Sequence, residues 1–228
     1  MPPTACLRLA HRGDWRRAPE NTVAAFRAAL AIPGCDGIEL DVQAARDGTP
    51  IVIHDDTLDR VQGRPGRVDA LSVADLADAG VPTLAEVLET LPRRAFLDVE
   101  LKADVAPAAV AVLAGARGAT LGHGVVSSFI PEFLDRVARL APSWPRWLNC
   151  VDLDPATIAT AVGLGCTAVA TEWHAIDRGS VRRAGAAGLA IAAWTVRRRS
   201  TFDRLAGLGV IAICAEASAL DGGAEEAA

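Results

Sequence analysis

The sequence predicts an α/β fold, a (β/α)8 TIM barrel with a β-hairpin extension after the second strand. Apolar, strand-like runs alternate with alanine-rich helical runs along the chain, an order typical of parallel βα units. Setting aside the hairpin arm, eight strand-like runs begin near residues 6, 37, 95, 124, 146, 168, 190 and 210. Eight is the number of βα units that closes a barrel.

Most of the strand-like runs precede a segment with helical features. In chain order the pairs are CLRLA with NTVAAFRAALA, FLDVEL with APAAVAVLAGA, VVSSF with PEFLDRVARL, RWLNCV with DPATIATAVGLG, AVATEW with DRGSVRRAGAAG, and AIAAWTV with STFDRLAGLG; VIAICAE is the last strand. Pro131 suits a first helical position, and Asp154 before Pro155 suits a helix start. Thr83 and Glu86 have the spacing of a capping box.

The segment GIELDVQAARDGTPIVIHDD departs from this alternation, because only ARDGT separates its two strand-like stretches. Parallel neighbours need a crossover of about a dozen residues or more. We therefore predict an antiparallel hairpin that turns at Asp47 and Gly48. The acids beyond it, Asp55, Asp56 and Asp59, are interpreted as loop caps. An open doubly wound sheet is the alternative fold, but no G-x-G-x-x-G or P-loop motif marks a nucleotide crevice.

The composition predicts a single domain over residues 1–220 and a disordered tail over residues 221–228. Hydrophobic residues make up 51% of the chain, while the tail DGGAEEAA is rich in glycine, alanine and acids. The net charge of −5 argues against a nucleic-acid partner. The sequence shows no signal-like start and no transmembrane segment, so we expect a cytoplasmic protein.

Carboxylates collect near the carboxyl ends of the second and third predicted strands, the end where barrel enzymes carry their sites. Glu39 and Asp41 project to the same side of one strand, and Glu100 lies on the next. Three acids facing a barrel interior are costly unless a charge neutralises them. They predict a site for one hard divalent cation, Ca²⁺ or Mg²⁺, with Mn²⁺ a further option. Asp98 lies deeper and is interpreted as structural.

Two imidazoles and two cationic side chains are expected beside these acids. His11 and Arg12 end the first strand, His54 lies on the returning arm of the hairpin, and Lys102 ends the third strand. Two histidines beside a cation, with no candidate Ser or Cys nucleophile, indicate general acid–base catalysis. Arg12 and the cation would hold an anion, most simply a phosphodiester. Lys102 is the only lysine among 23 basic residues, which favours a need for a compact ammonium over a forked guanidinium.

Several of these segments together resemble the glycerophosphodiester phosphodiesterase family. They are AHRG, PENTVAAFRAAL, GIELDVQAARDGTPIVIHDDTLDRV, VPTLAEVL, LDVELK, VVSSF and AWTV. The resemblance implies a TIM barrel that hydrolyses glycerophosphodiesters, small-molecule substrates, to sn-glycerol 3-phosphate and an alcohol with a divalent cation. The catalytic residues that it implies are His11 and His54. The metal ligands that it implies are Glu39, Asp41 and Glu100. The substrate-binding residues that it implies are Arg12, Lys102, Glu20, Asn21 and Trp194.

The sequence departs from the family pattern at the last two strands. Arg197 follows AWTV where Asn is usual, and Ala215-Glu216 stands where Thr-Asp is usual. No functional role is therefore carried over to Ala215 or Glu216.

Three other functions are alternatives. A lysophospholipase D-type phosphodiesterase would need an apolar approach, for which Trp144 and Trp147 in WPRWL are candidates. Because these residues flank a strand, packing against neighbouring helices is the favoured interpretation of both. A non-catalytic phosphopolyol-binding protein would fail to turn over bis(p-nitrophenyl) phosphate. A glycosidase built on paired carboxylates would leave the two histidines, Arg12 and Lys102 without a role.

Overall fold

The computed structural model describes residues 6–223, in which parallel strands close into a barrel surrounded by helices. Nine strands lie within these residues: β1 (Leu7–His11), β2 (Gly37–Ala44), β3 (Pro50–Val52), β4 (Phe96–Leu101), β5 (Gly124–Ser128), β6 (Arg146–Cys150), β7 (Ala168–Glu172), β8 (Ala190–Val196) and β9 (Ala212–Ala215). Strand β1 pairs in parallel with both β2 and β9, and these two pairings close the barrel. The predicted (β/α)8 TIM barrel is confirmed.

Ten α-helices follow or connect the strands of this part of the chain. They are α1 (Val23–Leu30), α2 (Asp59–Gln62), α3 (Val73–Asp78), α4 (Leu84–Thr90), α5 (Ala106–Arg117), α6 (Pro131–Leu140), α7 (Pro155–Gly163), α8 (Arg178–Ala186), α9 (Arg199–Gly207) and α10 (Ala217–Asp221). Among residues 6–223, no helix combines the length and the apolar character that a membrane crossing requires.

The sequence signals locate most of these elements correctly. Each barrel strand begins at the predicted residue or within two residues of it. The Thr83 hydroxyl accepts a hydrogen bond from the Glu86 backbone, and the Glu86 carboxylate accepts one in return, so the capping box is present. Asp154 caps α7 through the backbone N–H of Thr157, directly before Pro155.

Strand β3 forms a short antiparallel arm on β2. Val42 pairs with Val52, and Ala44 pairs with Pro50. In the turn between them, Gly48 has a φ of 84°, a left-handed conformation that suits glycine. This arm ends two residues before His54. His54 therefore lies in a loop just beyond the arm and not on the arm itself, although, as expected, it is not on a barrel strand.

Two apolar layers hold the barrel together. Leu9, Val125 and Trp147 belong to a cluster of inward-facing side chains, while the next residues along β1 and β5, Ala10 and Val126, belong to the larger cluster under the helices. Successive strand residues point to opposite faces, which explains this division. The inner cluster fills the lower barrel, so the polar residues at the carboxyl ends of the strands form the open end.

The structure places the tryptophans of WPRWL inside the protein and not in a membrane-facing patch. Trp144 is 3% exposed and donates its indole N–H to the carbonyl of Ala119 at 2.7 Å. Trp147 is 4% exposed and stacks on Phe96. Burial of large aromatic surface is favourable here because it completes the barrel core. The packing expected for residues that flank a strand is therefore confirmed, and these two residues offer no apolar approach.

The last helix, α10, ends at Asp221, beside the predicted domain boundary at residue 220. Asp221 is the final residue of α10, and its carboxylate accepts a hydrogen bond from Arg16 at 2.7 Å. Of the predicted tail, residues 224–228 lie outside the described residues.

Candidate active site

The carboxyl ends of the barrel strands surround a cavity of about 180 Å³. Imidazoles, acids, cationic groups and apolar side chains line it: His11, Arg12, Glu39, His54, Asp98, Glu100, Lys102, Phe129, Asn149, Ala170, Trp194, Thr195 and Cys214. Three residues that the sequence indicated are not part of this lining, namely Asp41, Glu20 and Asn21. All three contact Arg12, which lines the cavity.

Three carboxylates meet at one side of the cavity. Asp41 on β2 lies in register with Glu100 on β4, and Glu39 lies two residues before Asp41 on the same strand. One carboxylate oxygen of each residue lies within 4.8 Å of the others, and all three residues are buried. The structure thus brings together the three residues that the sequence indicated as metal ligands.

The electrostatics of this cluster fit a bound cation. Burial, with the charges of Asp41 and Glu100, raises the pKa of Glu39 well above its usual range. Burial and the charge of Asp41 also raise the pKa of Glu100. In addition, the buried Oδ1 of Asp41 has no hydrogen-bond partner. Buried like charges repel one another, and a hard divalent cation with oxygen ligands would relieve this repulsion.

Asn21 and Arg12 fix Asp41 from behind. The Asn21 amide donates to Asp41 Oδ2 at 2.8 Å, and its carbonyl oxygen accepts from the Asp41 backbone at 3.3 Å. The Nε of Arg12 lies 3.1 Å from the same Oδ2. Both Asn21 and Arg12 have φ near +58°, in the left-handed region, which is uncommon for residues other than glycine. Asn21 therefore supports a carboxylate of the cluster instead of lining the cavity.

A chain of ion pairs runs from Arg12 to His54 along the rim. Glu20 lies 3.0 Å from Arg12 and 2.7 Å from Arg60, measured from Glu20 Oε1 to the guanidinium nitrogens. Arg60 then reaches Asp55 at 2.6 Å, and Asp55 Oδ1 lies 2.6 Å from His54 Nδ1. Glu20 therefore joins two arginines behind the cavity. Asp55, which the sequence suggested as a loop cap, is the partner of a histidine.

Lys102 extends over the carboxylate cluster from the end of β4. Its Nζ lies 3.0 Å from Glu100 Oε1 and 3.9 Å from Asp41 Oδ1. The same nitrogen lies 5.9 Å from the centroid of the Phe129 ring. The side chain is 22% exposed, so the ammonium faces both the acids and the open cavity.

An aromatic wall stands opposite the acids. Trp194 donates its indole N–H to the carbonyl of Ala170 at 3.0 Å, which fixes its ring. Phe129 meets this ring edge to face at a centroid distance of 5.5 Å. The sequence indicated Trp194 at the mouth of the site but did not indicate Phe129. The position of Phe129 directly after a strand end could have indicated that it borders the site.

His11 has a buried carboxylate partner that the sequence did not indicate. His11 Nδ1 lies 2.6 Å from Glu216 Oε1, and Arg197 Nε donates to Glu216 Oε2 at 2.8 Å. Burial alone would raise the pKa of Glu216, but the hydrogen bonds and charges of His11 and Arg197 outweigh it and lower the pKa to about 2. Glu216 thus remains an anion beneath His11.

Glu216 should stabilise the fold more at neutral pH than in acid. Because its pKa falls from an ordinary 4.5 to about 2 on folding, the unfolded chain binds the extra proton between these values. Its stabilisation is therefore present above about pH 4.5 and is lost as pH falls toward 2. We expect Glu216→Gln to lower the free energy of unfolding at pH 7 by roughly 1–3 kcal/mol and by less at pH 3. Urea unfolding of both proteins at these pH values measures the difference; an equal or larger loss at pH 3 would contradict this account.

Asp98, two residues before Glu100 on β4, is buried and lines the cavity. Its side chain accepts a hydrogen bond from the Ser127 hydroxyl at 2.6 Å. Burial raises its pKa to about 7, although the Ser127 hydrogen bond acts in the opposite direction. Beside it, Asn149 lines the cavity with a buried Oδ1 that has no hydrogen-bond partner. The sequence did not indicate Asn149.

Comparison with protein families gives a match over nearly the whole chain. Residues 11–219 match the model of the glycerophosphoryl diester phosphodiesterase family. A curated glycerophosphodiester phosphodiesterase of Caldanaerobacter subterraneus subsp. tengcongensis is 42% identical over 113 residues, which are 43% of this chain and 46% of that protein. The chain matches less than half of the length of this relative.

Solved structures show the same fold over most of the chain. A glycerophosphodiester phosphodiesterase from Agrobacterium tumefaciens is 30% identical, with a TM-score of 0.80, and the match covers 94% of this chain and 98% of that one. A phosphodiesterase from Oleispira antarctica, solved with the product sn-glycerol-3-phosphate, is 26% identical, with a TM-score of 0.80 and 92% of each chain covered.

Proposed function

The chain belongs to the glycerophosphoryl diester phosphodiesterase family, and from this premise we propose that it hydrolyses glycerophosphodiesters to sn-glycerol 3-phosphate and an alcohol with one bound divalent cation. One observation carries the proposal: a buried cluster of three carboxylates shares a single cavity with two imidazoles and two cationic side chains. The Oleispira antarctica relative, solved with sn-glycerol-3-phosphate, supports this compound as the phosphate-containing product.

Glu39, Asp41 and Glu100 would hold the cation. Their oxygen ligands suit Ca²⁺, Mg²⁺ or Mn²⁺ better than metals that prefer thiolates. When bound, such an ion supplies positive charge that polarises a phosphoryl oxygen. Arg12 and Lys102 border the same space, so they are placed to hold the remaining negative charge of the diester.

His11 and His54 would carry the protons of the reaction. Each imidazole has its Nδ1 at 2.6 Å from a carboxylate, which leaves Nε2 for the substrate. One histidine takes a proton from the attacking water, and the other gives a proton to the oxygen of the departing alcohol. The phosphorus–oxygen bond to that alcohol breaks as the bond to water oxygen forms, so a phosphomonoester is left.

A panel of glycerophosphodiesters assayed with each cation tests the proposal directly. Released sn-glycerol 3-phosphate is the readout, and the preferred alcohol follows from comparing the substrates. Absence of this product from every substrate and cation combination would overturn the proposal.

A second candidate function is hydrolysis of lysophospholipids, and the residues after β5 favour it. Phe129 and Ile130 are 42% and 38% exposed, and Phe129 borders the cavity. An acyl chain could lie against such apolar side chains. A rise in turnover of a lysophospholipid above its micelle concentration would support this function, and activity confined to short diesters would exclude it.

Replacement of Lys102 should impair turnover even when the charge is kept. We expect Lys102→Arg to lower kcat/KM by about 10–100-fold, because a longer, forked guanidinium would displace the substrate or the cation. Lys102→Met should lower it at least as much, with an unchanged circular dichroism spectrum. Steady-state kinetics of both variants measure the loss.

The unique lysine also allows a chemical test of the same prediction. An amine-selective acylating reagent can modify only Lys102 and the chain's α-amino group. Acylation of Lys102 should abolish turnover, and sn-glycerol 3-phosphate with the cation should protect it. If mass spectrometry shows complete acylation at Lys102 while hydrolysis continues at the normal rate, Lys102 has no role in the reaction.

A further inference from the structure

Arg197 and Glu216, the two positions that depart from the family pattern, are in direct contact. Glu216 follows β9, and its backbone N–H donates to the carbonyl of Val196, the last residue of β8, at 2.9 Å. Arg197 is the next residue after β8, so the two side chains start from neighbouring strand ends. The guanidinium donates to Glu216 Oε2 at 2.8 Å, while the other carboxylate oxygen meets His11.

The carboxylate determines which nitrogen of His11 can carry a hydrogen. A neutral imidazole has one N–H and one lone pair, and an ionised carboxylate only accepts hydrogen bonds. Glu216 therefore selects the tautomer with hydrogen on Nδ1. Nε2, which lies 3.9 Å from Glu39 Oε2 on the cavity side, is left with its lone pair facing the site.

Stability alone does not account for this arrangement. The Arg197 side chain is 72% exposed, whereas the Glu216 side chain is 6% exposed. An ion pair with one partner largely in solvent contributes little to folding stability, so most of the stabilisation expected from Glu216 comes from its contact with His11 and not from Arg197. However, the hydrogen bond from Arg197 occupies the one Glu216 oxygen that His11 does not use, and it thereby limits rotation of the carboxylate.

We propose that Glu216 is a positioning residue that fixes the ring orientation and tautomer of His11, and that Arg197 acts only by holding Glu216. The expected effect on turnover rests on the proposed function, whereas the tautomer of His11 does not depend on that function. In the reaction, Glu216 keeps the lone pair or proton of Nε2 aimed at the substrate without contacting the substrate itself.

The first test reads the ring directly. In protein labelled with ¹⁵N at histidine, above the pH at which the rings are charged, we expect His11 to show a protonated Nδ1 and an unprotonated Nε2. Glu216→Gln should mix the two tautomers, because an amide can donate as well as accept. Glu216→Asp, which remains a pure acceptor, should keep more of the original tautomer. The same shifts in wild type and Glu216→Gln would overturn the proposal.

The second test is a double-mutant cycle in turnover. We expect Glu216→Gln to lower kcat about 100-fold with KM within about threefold, and Arg197→Gln to lower kcat about 3–10-fold. Because Arg197 acts through Glu216, the double variant should be no slower than Glu216→Gln alone. A further loss in the double variant would show that Arg197 acts by another route, and wild-type kcat in Glu216→Gln would overturn the proposal.

Glu172 provides a matched control. Glu172, the last residue of β7, makes the same contact with His174, at 2.6 Å from the histidine Nδ1, and neither residue lines the cavity. Glu172→Gln should change the ring shifts of His174 and leave turnover unchanged. If wild-type protein hydrolyses no glycerophosphodiester, the proposed function fails, but the tautomer test still decides whether Glu216 positions His11.

Discussion

Alanine at either His11 or His54 is expected to lower kcat by about 10²–10⁴-fold, with smaller effects on KM. Each imidazole lines the cavity and has Nδ1 held by a carboxylate, so that Nε2 is free to move a proton. In the proposed reaction, loss of either ring would remove one proton transfer, while the charged groups placed to hold the diester would remain. Steady-state kinetics on a natural glycerophosphodiester measure both parameters.

A substrate with a better leaving group separates the two histidines. With p-nitrophenol as the leaving alcohol, little protonation is needed, so the variant that lacks the general acid should recover part of its rate. The variant that lacks the general base should not. His174→Ala is the control, because that ring is 68% exposed outside the cavity. A variant of His11 or His54 that turns over a natural diester at the wild-type rate would remove that residue from the mechanism.

Chelation of divalent cations is expected to abolish turnover, and Ca²⁺, Mg²⁺ or Mn²⁺ to restore it. The physical reason is the buried cluster of Glu39, Asp41 and Glu100, whose mutual repulsion a cation would relieve. Activity after exhaustive demetallation and after readdition of each ion measures the dependence. Full activity in the metal-free protein would refute it.

Calorimetric titration with each ion tests the cluster without an assay of turnover. We expect one bound cation per chain, and a loss of affinity of at least about 100-fold in Asp41→Asn. The matched control is Asp47→Asn, because Asp47 is an exposed carboxylate in the hairpin turn that accepts a hydrogen bond from the Thr49 backbone. Equal affinities in Asp41→Asn and wild type would place the cation elsewhere.

The barrel and the carboxylate cluster could be predicted because both depend on local patterns. A short segment of sequence is enough to show the hydrophobic periodicity of a strand or a helix. Residues at the carboxyl ends of neighbouring parallel strands lie close together. The sequence alone therefore predicts that Glu39 and Glu100 lie close to each other. Asn21 was expected on the substrate side from resemblance alone, and only the structure shows that it holds Asp41 from behind.

The partners of the histidines could not be predicted in the same way. Glu216 lies 205 residues from His11 in the chain, and their contact exists only because β9 closes the barrel against β1. Asp55 is adjacent to His54 but was interpreted as a loop cap, because a sequence does not show which way a loop carboxylate turns. Arg60 completes that contact from a helix whose position depends on the packing of the hairpin.

The ion-pair chain along the rim makes the site respond unequally to dissolved salt. Arg60 is 50% exposed where it joins Glu20 to Asp55, whereas the contact of Arg12 with Asp41 is largely buried. At about 0.1 M, ions screen exposed charges beyond about 10 Å and compete for exposed pairs, but they reach buried pairs far less. A rise in ionic strength therefore loosens the side of the site that carries His54 before it loosens the side that carries the carboxylate cluster.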